Sequence, residues 1–145
     1  MKYTTIDDAA NMIQRHEGYR QKVYICSAGF PTCGWGHALH IDSYVPLGAS
    51  LAFFDSDMRT VIDQFYNLDT GLVGDQRAVV LDMLFCLGLP RFKRFKKFIA
   101  AIRARDFKTA GVEILDSKWH RDLLQYKRSG VELRPEALAR MISGG

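Results

Sequence analysis

Hydrophobic and polar positions change their period twice along the chain. Near the amino terminus Ile6, Ala10 and Ile13 recur at helical spacing, and Thr5 followed by Asp7 and Asp8 reads as a capped helix start with acids at its positive end. Glu17 is the next position on that apolar row, and Gly18 can end the helix just after it. A carboxylate ending a core-facing row is either paired with a cation or partly desolvated, where the neutral acid is favoured and its pKa rises. From Val23 the pattern turns to short β-rich runs, VYIC and TCGWG, separated by SAGFP with the Gly and Pro of a turn. These runs predict a small hairpin or three-stranded lobe, and alternation puts Thr32 and Cys33 on opposite faces. A loop with Pro46 and Gly48 follows, and Ser50 is placed to cap the next element.

Everything after that is helical in pattern, with segments near 50 to 67, 74 to 87, 91 to 104, 107 to 118 and 134 to 142. VVLDMLFCL is almost wholly apolar and predicts the central buried helix. In PRFKRFKKFIAAIRAR the stripe Phe92, Phe95, Phe98, Ile99 and Ile102 opposes a row of Arg and Lys, which predicts one amphipathic helix with a basic outer face. That face reads as a solvated surface, as an attraction to anionic wall or lipopolysaccharide, or as a membrane-inserting one. Trp119 reads as a core or cleft-wall aromatic.

Composition narrows the class. The chain has 145 residues, 48% of them hydrophobic and 25% charged, which suits one compact unit in which two lobes share a helix. No run approaches the roughly 18 to 20 apolar residues of a membrane span, and MKYTTIDDAANM has two acids where a secretory signal is apolar, so synthesis in the cytosol is expected. A net charge of +4 suits a polyanionic partner, or simply an ordinary basic protein; no groove-reading motif accompanies it, so nucleic acid is not expected. Cys26, Cys33 and Cys86 form an odd set without metal-ligand spacing and are expected reduced, as a monomer without metal or cofactor.

Glycoside hydrolysis needs a protonated acid beside the leaving oxygen, a role that Glu17 fits by position, as it also fits a buried structural ion pair. The ordered set HEGYR, KVY and TCGWGH closely resembles the active-site segment of the phage-type lysozymes, endolysins that cleave bacterial peptidoglycan. QRAVVLDMLFCLG resembles that family's central helix, RFKRFKKFIAAI and FKTAGVEILDSKW follow in its order, and RPEALARMISGG resembles its last helix. The resemblance implies an α+β lysozyme-like fold: a β-hairpin lobe over about 18 to 48, a larger helical lobe over about 1 to 17 and 50 to 145, and a peptidoglycan cleft between them.

It also implies roles. Glu17 is the general acid and Thr32 is the family's threonine, while Cys26 stands where an Asp is usual that helps activate the attacking water, commonly with inversion. A thiol has an unperturbed pKa of roughly 8.5, so Cys26 needs a nearby cation, Arg20 or Arg134, to act as thiolate. Three outcomes stay open: hydrolysis with Cys26 as base, nucleophile or water holder; a lytic transglycosylase working with Glu17 alone; or a silent wall-binding relic. By the family's register His37 pairs with Asp57, Arg20 makes a salt bridge near the acid, and Arg134 lies beside the catalytic Glu. Ala38, Phe85, Phe98 and Glu113 align with sugar-contacting positions, and Cys86 stands where an amide side chain is more usual. The implied life cycle is accumulation in the host cytoplasm and release to the wall through a partner holin pore.

Overall fold

The computed structural model describes residues 5–144. Met1–Thr4, part of the stretch weighed above as a signal segment, lie outside the described residues. The chain divides into two compact units, 1–47 and 48–145.

The first unit holds helix α1 (Ile6–Glu17) and a three-stranded antiparallel sheet of β1 (Arg20–Ile25), β2 (Pro31–Gly34) and β3 (His37–Ala38), in the order β1-β2-β3. The expected cap is a full capping box: the Thr5 hydroxyl accepts from the Asp8 N–H at 3.1 Å, and the Asp8 carboxylate accepts from the Thr5 N–H at 3.0 Å. Its apolar row, however, buries nothing; Ile6 is 88% and Ile13 53% exposed. Among the described residues of this unit no apolar side chain is buried, and the buried residue is polar, Thr32. Strand β1 pairs with β2 through Tyr24 and Thr32, and the register shifts between Arg20 and Tyr24. The Arg20 guanidinium stacks 4.3 Å over the Tyr24 ring.

The second unit continues α2 (Leu47–Asn67) into α3 (Gly74–Leu87), α4 (Leu89–Phe92), α5 (Lys96–Arg103), α6 (Phe107–Leu115), α7 (Lys118–Leu124) and α8 (Arg134–Ser143). Helix α2 begins directly after Pro46, so Ser50 lies inside it rather than capping it. Helix α3 is the expected central element, with Val79, Val80, Met83, Leu84 and Leu87 buried. Helices α6 and α8 pack closely because Gly111 faces α8; a Cβ there would meet the Ala139 carbonyl oxygen at 2.9 Å.

The basic stretch is two helices rather than one. Arg91, Lys93, Arg94, Lys96 and Lys97 offer each other only like-charged neighbours at helical spacing, with no acid among them, and a continuous helix would stack these repulsions. Breaking the helix at 93–95 still buries both Phe92 and Phe98 completely, in an edge-to-face pair 6.0 Å apart. Each contributes about 1.5–3 kcal/mol of burial. The expected segment 107–118 ends early, at Leu115, and a further short helix follows it: Ser117 caps α7 by accepting from the His120 N–H at 3.1 Å, and Trp119 goes into the core. No helix among the described residues is long and apolar enough to cross a membrane.

Candidate active site

The first unit concentrates the chemistry. Glu17 is the last residue of α1, whose end is closed by the Gly18 N–H donating to the Gln14 carbonyl at 3.0 Å. The chain then turns into β1, and the Tyr19 ring meets the Trp35 ring at a centroid distance of 4.9 Å. Trp35 and Gly36 form the turn between β2 and β3, so this aromatic contact ties the helix end to that turn. The Glu17 carboxyl group lies directly over Gly36: a Cβ at that position would come within 2.9 Å of the carboxyl carbon, and Gly36 has φ +71°. Backbone conformation and space therefore both require glycine there. Glu17 is exposed, not desolvated on a core-facing row as its helical register suggested, because α1 has no core beneath it in this unit.

Cys26 follows β1 at the start of the hairpin loop. Its N–H donates to the Phe30 carbonyl at 3.0 Å and its carbonyl accepts from the Gly29 N–H at 2.9 Å, which closes the loop on itself. The sulfur lies among donors: the Thr32 hydroxyl first, then the backbone N–H groups of Phe30, Ala28 and Gly29, and together they hold the thiol below the ordinary cysteine range against a small opposing effect of burial. The thiolate is thus favoured by a hydroxyl and by backbone dipoles, where a guanidinium had been expected. Within its unit Arg20 is stacked on Tyr24 instead of salt-bridged.

Thr32 is 2% exposed, and its hydroxyl donates to the Phe30 carbonyl at 2.9 Å. It has one proton and two acceptors, that carbonyl and the Cys26 sulfur, so loss of the thiol proton draws the hydroxyl hydrogen toward sulfur. Cys33, on the opposite face of β2, pairs with His37, while Thr32 pairs with Ala38. His37 is exposed in β3 and Asp57 is exposed on α2.

In the second unit, Arg134 donates from Nε to the Asp82 carboxylate at 2.7 Å, a partner that no sequence pattern indicated. Phe98 and Glu113 line one cavity of about 780 Å³ together with Trp119. Phe85 is apart from it, 38% exposed and ring to ring with Phe54 of α2 at 5.6 Å. Cys86 is exposed. Among the described residues no group of three or more His, Cys, Asp or Glu side chains converges on a point where a metal could sit.

Sequence reasoning missed Gly36 and the donors around Cys26. The glycine was legible in principle, since a second Gly two residues after the first in TCGWGH marks a turn with restricted geometry. The donors were not, because loop N–H groups leave no trace in side-chain identity.

Comparison with known proteins adds an independent line. The family model described as phage lysozyme matches residues 14–137. An endolysin of Acyrthosiphon pisum secondary endosymbiont phage 1 is 26% identical over 121 residues, covering 81% of this chain and 81% of its own length.

Proposed function

The chain belongs to the phage lysozyme family, and from that premise we propose that it is an endolysin hydrolysing the β-1,4 linkage from N-acetylmuramic acid to N-acetylglucosamine in bacterial peptidoglycan. Glu17 donates its proton to the glycosidic oxygen as the bond from the anomeric carbon breaks. Water attacks the same carbon from the opposite face, its proton passes to the Cys26 thiolate, and the Thr32 hydroxyl holds water and sulfur in register. The products are a new reducing-end muramic residue and a free 4-hydroxyl.

The observation that most supports this reading is the set of donors around Cys26, with the Thr32 hydroxyl foremost, which favours the charged thiol in the same unit as Glu17. A thiolate can accept a proton where the family carboxylate would, so the exchange of Asp for Cys is compatible with a working base. Sugar contacts are proposed at Ala38 in the first unit and at Phe85 and Glu113 in the second, while Phe98, completely buried against Phe92, serves packing instead. The enzyme acts as a monomer, gathers in the host cytoplasm, passes a holin pore at lysis, and is drawn to the anionic envelope by its net charge of +4.

Mass spectrometry of fragments released from purified peptidoglycan tests the proposal, with Glu17→Gln and Cys26→Ser beside the native protein. Reducing-end muropeptides that disappear in Glu17→Gln are expected, with a loss of about 10²-fold in Cys26→Ser. Anhydro-ended fragments would instead identify a transglycosylase, and folded protein that binds sacculi without releasing fragments would sink the enzymatic reading.

A further inference from the structure

We propose that the cavity between α4–α5 and α6–α7 is a binding site for a phosphate-bearing sugar of the bacterial envelope. The cavity, of about 780 Å³, has the size of a small-ligand site rather than a flat membrane-facing surface. Arg91, Arg94, Lys96 and Lys97 line it, and among the described residues none of the four forms an ion pair. The carboxylates across from them are mostly neutralised already, Asp122 by Lys118 at 2.5 Å and Asp116 by Arg121 at 3.5 Å. An uncompensated positive wall remains.

Local helix energetics point the same way. No side chain caps the start of α5, and its first turn carries Lys96 and Lys97 with no acid. Cations at the positive end of a helix dipole are unfavourable, and an anion seated there both relieves them and accepts from the free N–H groups. A tetrahedral oxyanion suits several donors arriving from different directions. The remaining lining supplies the sugar half: Phe95 offers apolar ring surface beside the edge of the nearly buried Trp119, and Glu113, without a cation of its own among the described residues, can accept from sugar hydroxyls.

The inference rests on the wall-cutting reading only for the origin of the ligand, a phosphorylated glycan attached to or accompanying peptidoglycan. Its test does not need catalysis. The ¹⁵N-labelled protein is titrated with N-acetylglucosamine 6-phosphate, with N-acetylglucosamine and with inorganic phosphate, and compared with the Arg94→Gln/Lys97→Gln variant, whose altered side chains are both exposed. Expected are shifts concentrated at residues 91–98 and 113–119, including the Trp119 indole, with the phosphorylated sugar binding at least tenfold more tightly than either half and at least tenfold more weakly to the variant. Equal binding of inorganic phosphate, unchanged affinity in the variant, or shifts elsewhere would overturn it. Binding to phosphatidylglycerol vesicles without binding to the sugar phosphate would overturn it too, in favour of a membrane surface.

Discussion

The Glu17 carboxyl group rests on the α-carbon of Gly36, in the turn that joins β2 to β3. The acid proposed for catalysis is therefore positioned by the absence of a side chain. Gly36→Ala places a methyl group within 2.9 Å of the carboxyl carbon and forces an L-residue to φ +71°. The backbone cost alone is about 1–2 kcal/mol. A fall of more than tenfold in fragment release is expected, accompanied by lower thermal stability, whereas Glu17→Gln abolishes release and leaves the melting temperature nearly unchanged. Calorimetry beside the release assay separates the two.

Thr32 is expected to tune the Cys26 thiol. Its hydroxyl is the largest of the influences holding that thiol below the ordinary range, so Thr32→Val should raise the thiol pKa. Alkylation of Cys26 by iodoacetamide, followed on its own peptide by mass spectrometry, should then slow several-fold near pH 7 and recover at high pH. An unchanged pH profile of alkylation would show that the backbone N–H groups suffice.

If Cys26 is the base, the acid limb of activity reports its deprotonation. Activity rises as pH rises through the lowered thiol pKa, because only the thiolate accepts the water proton. Cys26→Asp puts there a group of pKa about 3.9, so the limb should move to lower pH and the rate at pH 5 should rise by about tenfold or more. A pH–rate profile on sacculi checks this, and an unmoved acid limb would assign it to another group.

Acid stability is expected to depend on Glu136. Lys127 at 2.6 Å, the Leu133 N–H and His120 together lower its carboxyl to about 2. Its unfolded value is near 4.3. A lowered folded pKa stabilises the fold above the unfolded value, and that contribution is lost as pH falls toward about 2. Glu136→Gln should therefore lower the melting temperature by roughly 2–5 °C at pH 7, with the difference shrinking below pH 4 and vanishing near pH 2. Melting curves across that range are the measurement.

Much of this was readable in advance where one local rule was strong. The Thr5 cap, the buried α3 and the three-stranded lobe follow from hydroxyl placement, an unbroken apolar run and paired β-rich segments. The readings that changed depended on more than one local signal. Ile6 and Ile13 share a helical face, yet periodicity alone does not say whether anything covers that face. The phenylalanine stripe of 92–98 suggested a single helix because repulsion among five cations was not weighed against it. Ser117 was a legible cap, yet no helical segment was read between 118 and 134, where α7 lies. Arg134 illustrates the limit most plainly: its charge was obvious, but the choice of Asp82, far away in sequence, belongs to the fold.

Among the described residues the buried hydrophobic core begins at Val61 and draws every member from the second unit. Glu17, Cys26, Thr32 and Gly36 all come from one short continuous stretch before it. Substitutions at the groups proposed to react therefore replace no member of that core, and an exchange such as carboxylate for thiol can be tried by evolution without changing a core residue. The amino-terminal lobe is in this sense a replaceable cartridge, free to change its chemistry while the helical body keeps its shape.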